Sequence, residues 1–528
     1  MEKQSPTKLT RFFRSLRLSQ LPRFYRLVVI PLVIFTAVVV VLRASARRPS
    51  TIDLLGGPLA GDLEPSFLET AERRCPAHLA GQTRRIVTSA SNPFMTMMRI
   101  NFMADGALPR FNPSILPLPA SADHPYLGFA SQVRGSNYEL WACELSFGVK
   151  KISKRMSMQC ATDPVHIPIP ITSSSQCLDH HYLALRAGPQ VPRAFFSPDG
   201  APLLMYSGNS ADDCIGQFVV DLRMYYPNLV QLFPDPPIIY SQPVELRRPG
   251  VKQEFEQNWV LMFEHNKTFI HQDLLPRSFS SVGWQTKNLA PKTFNCLASL
   301  TANKQAVLHQ STNTLRLSLC EFPCTPTEEN TVLVSIVHVK FQEGLHTYFE
   351  KRALVTKATF PFDVLGVSPP LHFAGTDEQD LVYAVSLAWD SRSEPRKSRP
   401  NVYDFRRSHY VVEPPAEDGA PAEAAAEPEP EPEHKDEPQD EPKQKQDRRV
   451  RRAPKKPTPL ELREKLYNRN KVLDYTTENR QLDGFESDYY HGYLNDVILI
   501  GFGIEDKESA VIDVRASSLV ECLKKCNN

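Results

Sequence analysis

The chain has 528 residues, a formal net charge of +1, 41% hydrophobic residues and 46 prolines. This length allows one large domain or two to three ordinary ones, and the composition excludes both a bundle of membrane helices and a chain that is unfolded throughout. The near-zero net charge provides no general attraction to nucleic acid, so none is expected as a partner.

The N-terminus joins a basic segment to an apolar one. Residues 1–26 carry seven lysines and arginines against one acid, and the run Leu27–Leu42 has no charged residue. Because basic flanks stay in the cytosol, we predict a cytosolic tail at 1–26 and a type II transmembrane anchor at 27–42, with the remainder lumenal. The run is short, which suits the thinner membranes of the early secretory pathway, and we expect a Golgi or related location. A cleaved signal peptide is the alternative, although its basic region would be shorter.

The cysteines and the glycosylation motif fit a lumenal domain. All ten cysteines follow the predicted anchor, and none forms a C-x-x-C pair. Their even number favours disulfides in an oxidising compartment over a zinc site. The one N-x-S/T motif predicts glycosylation at Asn266.

Beyond the anchor the chain changes character several times. Residues 43–90 are polar and rich in proline and glycine, as in a stem. Residues 91–412 contain short apolar runs separated by turn residues, which predicts a predominantly β domain. The clearest runs are Tyr126 to Ala130, Glu139 to Leu145, Pro202 to Tyr206, Gln217 to Leu222, Trp259 to Phe263, Leu315 to Leu319, Thr331 to Phe341 and Leu381 to Trp389.

The C-terminal part begins with a charged segment and ends in an apolar one. Residues 413–460 are acidic and proline-rich and then basic, a composition that predicts a disordered linker. Within 461–528 we predict two strands and a short C-terminal helix, with Ser518 and Glu521 as a capping box. Two strands do not form a stable sheet alone, so they are expected to complete the domain of residues 91–412.

The familiar catalytic signatures are missing. The sequence has no Asp-x-Asp pair to hold a divalent ion against a diphosphate, and it has no P-loop, G-x-S-x-G or H-E-x-x-H motif. No cofactor is therefore predicted, although a divalent ion is not excluded.

Polar clusters at predicted strand edges are more informative. Each cluster alone is typical of a turn. Taken in order, they resemble the fungal β-mannosyltransferases and, more distantly, the β-mannoside phosphorylases and hydrolases. The matching motifs are Asn-Pro-Ser at 112–114, Gly-Pro-x-x-Pro-Arg at 188–193, Asn-Trp at 258–259 and His-Gly-Tyr at 491–493. The resemblance covers about two-thirds of the chain.

The resemblance implies a five-bladed β-propeller that transfers mannose from a nucleotide-mannose donor to a glycan acceptor. Two alternatives stay open, a non-catalytic glycan-binding propeller and a membrane-tethered β-mannoside hydrolase or phosphorylase, which would need two opposed carboxylates. One departure bears on catalysis. The resembling proteins carry Glu-Asp where this chain has Gln190-Val191, and neither residue acts as an acid or base.

Mannosyl transfer needs a base for the acceptor hydroxyl and donors or cations for the leaving diphosphate. A propeller brings distant motifs to one funnel, so the candidates are expected to converge there. The catalytic candidates are Asp273, Asp496 and Asp506. The substrate-binding candidates are Asn112, Arg134, Arg193, His271, Arg277, Lys340 and His491, of which Arg193 lies, like Asp496, in one of the best-matching motifs.

Overall fold

The structure is a computed structural model. It describes residues 83–92, 94–102, 108–149, 156–172, 181–211, 213–250, 255–264, 267–282, 289–302, 306–343, 346–390 and 487–526, together with Cys75, Ser174, Cys177 and Gln253. The predicted tail, anchor, linker and glycosylation site Asn266 lie outside these ranges, as does most of the predicted stem. No helix within the described ranges has the length and apolar character needed to cross a membrane.

The described chain is mostly β-sheet, which confirms the predicted predominance of strands. Its helical segments are short. They are His181–Ala184, Asn228–Leu232, Asn295–Thr301 and Ser517–Val520, with a 3₁₀ turn at Leu222–Met224.

The strands group into five antiparallel units, here called blades 1 to 5. Two strands precede them, β1 (Arg85–Val87) and β2 (Met98–Asn101). Blade 1 contains β3 (Arg110–Pro117), β4 (Tyr126–Arg134), β5 (Asn137–Val149) and β6 (Met156–Cys160), with β7 (Val165–Ile167) against β5. Blade 2 contains β8 (Gln190–Phe196), β9 (Pro202–Asn209), β10 (Ile215–Asp221) and β11 (Val244–Leu246). Blade 3 contains β12 (Val260–Glu264), β13 (Lys267–Leu274), β14 (Arg277–Ser281) and β15 (Leu289–Lys292).

Blades 4 and 5 are built from the remaining strands. Blade 4 contains β16 (Val307–Gln310), β17 (Leu315–Ser318), β18 (Thr331–Glu343), β19 (His346–Lys357), β20 (Val364–Val367) and β21 (Leu371–Phe373). Blade 5 contains β22 (Val382–Trp389), β24 (Val497–Ile504) and β25 (Glu508–Arg515). Outside these sets, β23 (His491–Tyr493) runs parallel to β17, and β26 (Lys524–Lys525) pairs with β20.

Strand β2 joins the two ends of this series. It pairs antiparallel with β25 of blade 5, where Met98 lies opposite Val511, and parallel with β6 of blade 1. The first strands also meet, because β3 contacts both β8 and β22. A series of antiparallel units whose two ends are joined in this way is the arrangement expected of a β-propeller.

Apolar cores lie between neighbouring blades. One cluster joins Phe129 of β4 to Phe196 and Tyr206 of blade 2. Another joins Val334 of β18 to Phe502 of β24. Because both faces of each blade are packed, the first strands are held firmly around the same axis.

All ten cysteines form disulfides, in agreement with the preference for disulfides over zinc. The pairs are Cys75–Cys522, Cys143–Cys160, Cys177–Cys214, Cys296–Cys526 and Cys320–Cys324.

The C-terminal helix is shorter than its apolar pattern predicts. It ends after Val520, and Cys522 has a φ of 52°. The predicted capping box does not form, because the Ser518 hydroxyl donates to the Arg515 carbonyl, while Glu521 pairs with Arg85. The disulfides of the last cysteines fix this segment to the blades instead.

Candidate functional site

A cavity of about 660 Å³ lies where the first strands of the blades begin. All five blades contribute to its wall. Asn112 comes from β3, Val191 from β8, Asn258 from the residues before β12, His309 from β16 and Tyr383 from β22. The volume falls within the range of about 300–1,000 Å³ that is typical of small-molecule sites.

Backbone strain is concentrated at this cavity. Among the described residues, eight non-glycine residues have positive φ, and four of them line the cavity: Asn112 (54°), Val191 (48°), Asn258 (63°) and Asp506 (49°). A positive φ is least expected for the β-branched Val191. Such strain persists only where the surrounding structure enforces it, and it clusters at functional sites.

Bulges produce the strain in blades 1 and 2. The pairing of β3 with β4 shifts between Phe111 and Ser114, and that of β8 with β9 shifts between Gln190 and Arg193. Each bulge contains a proline, which has no N–H to donate to a ladder. The bulges therefore turn Asn112 and Val191 toward the axis.

Blade 5 makes room for the Asn112 bulge with a glycine. A Cβ added to Gly503 would lie 2.3 Å from Oδ1 of Asn112. No side chain fits there, so the position of Asn112 depends on a bare backbone in β24.

A buried arginine supports one side of the cavity. Arg193 donates from Nη1 to the Trp259 carbonyl and from Nη2 to Oδ1 of Asn258, both at 3.0 Å. The Tyr383 hydroxyl donates to the same Oδ1 at 3.2 Å. Arg193 is 3% exposed and lies behind the lining residues. Burial lowers the pKa of Arg193 and raises that of Tyr383, which the nearby guanidinium partly offsets.

His309 lies beside Tyr383, with their rings 6.2 Å apart and nearly parallel. Its Nδ1 is 2.9 Å from the Gln310 carbonyl, so this nitrogen carries the proton. Burial is the main cause that lowers the pKa of His309 to about 4, and the positive charges of Arg193 and Lys340 add to it. The imidazole is therefore neutral at physiological pH.

Asp506 is the one acid among the described residues that line the cavity. It lies in the turn between β24 and β25. Partial desolvation raises its pKa, a hydrogen bond with Asn112 lowers it, and the charge of Glu505 raises it. No three His, Cys, Asp or Glu side chains in the described part of the chain are grouped to hold a metal ion.

Four of the predicted site residues meet at this place. Asn112, Lys340 and Asp506 line the cavity, and Arg193 lies directly behind it.

The blade 3 candidates lie elsewhere. Asp273 forms an ion pair with Arg248, which also binds Glu256. His271 is buried against the ring of Phe279, at 4.5 Å.

Arg277 is also buried in blade 3. It is packed over Phe279 and donates to the Phe362 carbonyl. The expectation that Asp273, His271 and Arg277 enter the funnel is corrected, because none of them lines the cavity and each is held by the contacts just described.

The three other candidates also lie away from the cavity lining. Asp496 is buried in a turn, where its Oδ2 accepts the Tyr493 N–H at 2.9 Å. His491 is buried, with its Nε2 2.9 Å from the Ser318 hydroxyl. Arg134 is exposed and pairs with Glu139. Asp496 and His491 are held by local packing, so they do not act as funnel residues.

The sequence did not single out His309 or Tyr383, and it recorded Asn258 in a polar cluster without giving it a role. All three occupy the start of the first strand of a blade, as Asn112 and Val191 do. A comparison of the residues at the start of the first strand of each blade would have identified these three residues.

The comparisons with known proteins do not assign a family. No family model matches the chain, and no curated protein matches it. Several solved structures share weak similarity, and two of them are named as glycan-degrading enzymes. An α-L-arabinofuranosidase from Podospora anserina, in complex with cellotriose, is 12% identical over 55% of this chain and 81% of its own, with a TM-score of 0.26. An exo-1,5-α-L-arabinanase from a bovine ruminal metagenomic library is 11% identical over 54% and 90%, with a TM-score of 0.24. Scores of this size carry no argument about activity, and none of these comparisons supports the mannosyltransferase resemblance.

Proposed function

We propose that the chain forms a five-bladed β-propeller whose axial cavity binds a glycan without cleaving it. The observation that carries the proposal is the convergence on this cavity of three non-glycine residues with positive φ, Asn112, Val191 and Asn258, which come from three separate blades. The positive φ of Asp506 belongs to the hairpin turn closed by the Lys507 N–H and the Ile504 carbonyl. Strain costs of order 1–3 kcal/mol per residue. Its concentration at one hollow indicates that these side chains are held in position for a ligand.

The lining suits a sugar. Amide groups come from Asn112, Gln190 and Asn258. Oδ1 of Asn258 is taken by Arg193 and Tyr383, so its amide N–H groups are the part that is left to donate to a sugar hydroxyl. Aromatic rings come from Phe349 and Tyr383, and they offer apolar faces to the C–H surface of a pyranose.

The number of acids among the described lining residues argues against hydrolysis of a glycoside. Glycoside cleavage generally uses two carboxylates that flank the bond. In the described lining Asp506 stands alone, and Gln190 and Val191 contribute no acid. Binding is therefore favoured over a hydrolase or phosphorylase.

Sugar transfer from a nucleotide-mannose is a second candidate, because a transferase that inverts the anomeric centre needs a single base. Asp506, with its raised pKa and its bond to Asn112, is the residue that favours it. Lys340 would face the diphosphate. We keep the Golgi lumen as the proposed location, since five disulfides require an oxidising compartment.

Binding of the purified full-length protein to an array of mannose oligosaccharides tests the first proposal. Replacement of Asn258 by alanine should lower the affinity at least about tenfold, which corresponds to about 1.4 kcal/mol. Arg134→Ala serves as a control, because Arg134 is exposed and lies outside the cavity. Absence of binding to any glycan, or equal loss in both variants, contradicts the proposal.

Asp506→Asn separates the two candidates. A binding protein keeps most of its glycan affinity in this variant. A transferase releases nucleoside diphosphate from nucleotide-mannose when a mannoside acceptor is present, and Asp506→Asn should abolish that release. Turnover by the unmodified protein would replace the binding proposal with the second candidate.

A further inference from the structure

The cavity has a marked imbalance of charge. Its titratable lining residues are Tyr138, His309, Lys340, Tyr383 and Asp506, and Arg193 lies behind them. Burial raises the pKa of Tyr383 and lowers that of His309 to about 4, so both of these side chains are neutral at physiological pH. Two cations therefore face one carboxylate.

Neither cation is neutralised by the described part of the protein. The hydrogen bonds of Arg193 go to a carbonyl, an amide oxygen and a phenol, and its buried Nε has no partner among the described residues. Lys340 is exposed at the cavity and forms no ion pair with a described residue. A buried charge without a counter-ion is costly, and structures that keep one commonly use it for a ligand.

The two positive charges act on the same part of the wall. The positive charges of Arg193 and Lys340 both act on His309, which lies next to Tyr383, and each lowers the pKa of its imidazole. Asp506 belongs to the β24–β25 turn and shares its hydrogen bond with Asn112 rather than with either cation. The positive potential is therefore centred on the blade 4 side, near His309.

We propose that the glycan taken by this cavity is acidic, with a carboxylate or phosphate group placed beside Lys340 and within the field of Arg193. This inference rests on the proposed glycan binding and specifies the class of sugar. The anion supplies the counter-charge that Arg193 lacks, and the amides of Asn112 and Asn258 bind the hydroxyl groups of the same sugar. Electrostatic complementarity of this kind selects among ligands of similar shape.

The test compares neutral and charged sugars on the full-length protein by calorimetry. The probes are mannotriose, a mannuronate trimer, mannose 6-phosphate and guanosine diphosphate without sugar. At least one acidic sugar should bind about tenfold more tightly than mannotriose, and the difference should shrink as salt rises from about 50 to about 500 mM. The two acidic probes distinguish a carboxylate from a phosphate as the source of the charge.

Lys340→Met should lower the affinity for the acidic sugar by a larger factor than the affinity for mannotriose, and so remove most of the preference for the acidic sugar. Lys357→Met is the matched control, because Lys357 is an exposed lysine at the far end of the same hairpin and pairs with Asp363. Equal affinities for neutral and acidic sugars, unaffected by Lys340→Met, overturn this inference and leave glycan binding intact. Failure of every sugar to bind overturns both. If guanosine diphosphate alone binds tightly and Lys340→Met abolishes that binding, the anion that the cavity binds belongs to a nucleotide. This result overturns the proposal of an acidic glycan.

Discussion

Arg193 joins blade 2 to blade 3 beneath the cavity, since its Nη2 donates to Oδ1 of Asn258 over 3.0 Å. The same oxygen accepts the Tyr383 hydroxyl of blade 5. One amide oxygen thus fixes the relative positions of three blades at the cavity wall.

Replacement of Arg193 by lysine tests this junction. A lysine keeps the charge but does not reach Asn258 and the Trp259 carbonyl together with a planar fork. We expect a loss of stability of about 1–3 kcal/mol, because buried acceptors lose their donors. Glycan affinity should fall as well, since Asn258 loses its support. Urea denaturation and calorimetry measure the two effects, and an unchanged affinity would show that Asn258 is positioned without Arg193.

Gly503→Ala tests the fit between blades 1 and 5. The added Cβ would meet Oδ1 of Asn112 at 2.3 Å and push this residue out of place. We expect weaker glycan binding and a loss of stability of about 1–3 kcal/mol, as for other overpacked sites. Gly208→Ala is the control, because its Cβ would meet its nearest neighbour at an ordinary 3.5 Å. Similar behaviour of the two variants would argue against a special role for Gly503.

Acid should destabilise the domain through its buried histidines. The pKa of His309 is lowered to about 4, and those of His271 and His338 lie well below the usual value, mainly because of burial. Between about pH 6.5 and about pH 4 the unfolded chain therefore binds protons that the folded chain does not, so the free energy of unfolding decreases as the pH falls.

His309→Gln removes one of these groups and should flatten the pH dependence. Urea midpoints at about pH 7 and about pH 5 provide the measurement. An identical pH dependence in the variant and the unmodified protein would show that His309 takes up no proton on unfolding in this window.

The long-range disulfides should contribute more than the short one. Cys296–Cys526 closes a sequence separation of 230 residues, and Cys320–Cys324 one of 4. Chain entropy alone gives the longer loop an advantage of about 3.6 kcal/mol. Paired serine substitutions at each bridge, compared by urea denaturation, should show this difference. Equal losses would mean that the unfolded chain is already compact near both bridges.

The sequence predicted the strands well where they alternate and end in turns. The run Thr331 to Phe341 lies within β18, and Trp259 to Phe263 overlaps β12. The candidate site was harder to predict. In the sequence, Asp496 follows a segment that contains Tyr493, and Asp506 follows the apolar run of a hairpin strand. From the sequence alone, either carboxylate is a candidate catalytic base. The first is used by its own turn, and the second points to the axis. Only the packing of the blades distinguishes them.

Tyr383 and His309 were overlooked for a related reason. Each shares a mainly apolar strand with one other polar residue, Gln310 for His309 and Ser386 for Tyr383, and its direction depends on which end of the strand faces the cavity. That end is set by contacts between blades, which are distant in sequence.

The pairing of Met98 with Val511 has a consequence for biogenesis. During translation β2 is made long before β25. The edge of β2 that pairs with β25 therefore has no partner in this sheet until β25 has been made. Closure therefore follows the synthesis of β25. The Cys75–Cys522 bridge joins the same two regions, so it forms only after Cys522 has been made and fixes the paired ends covalently.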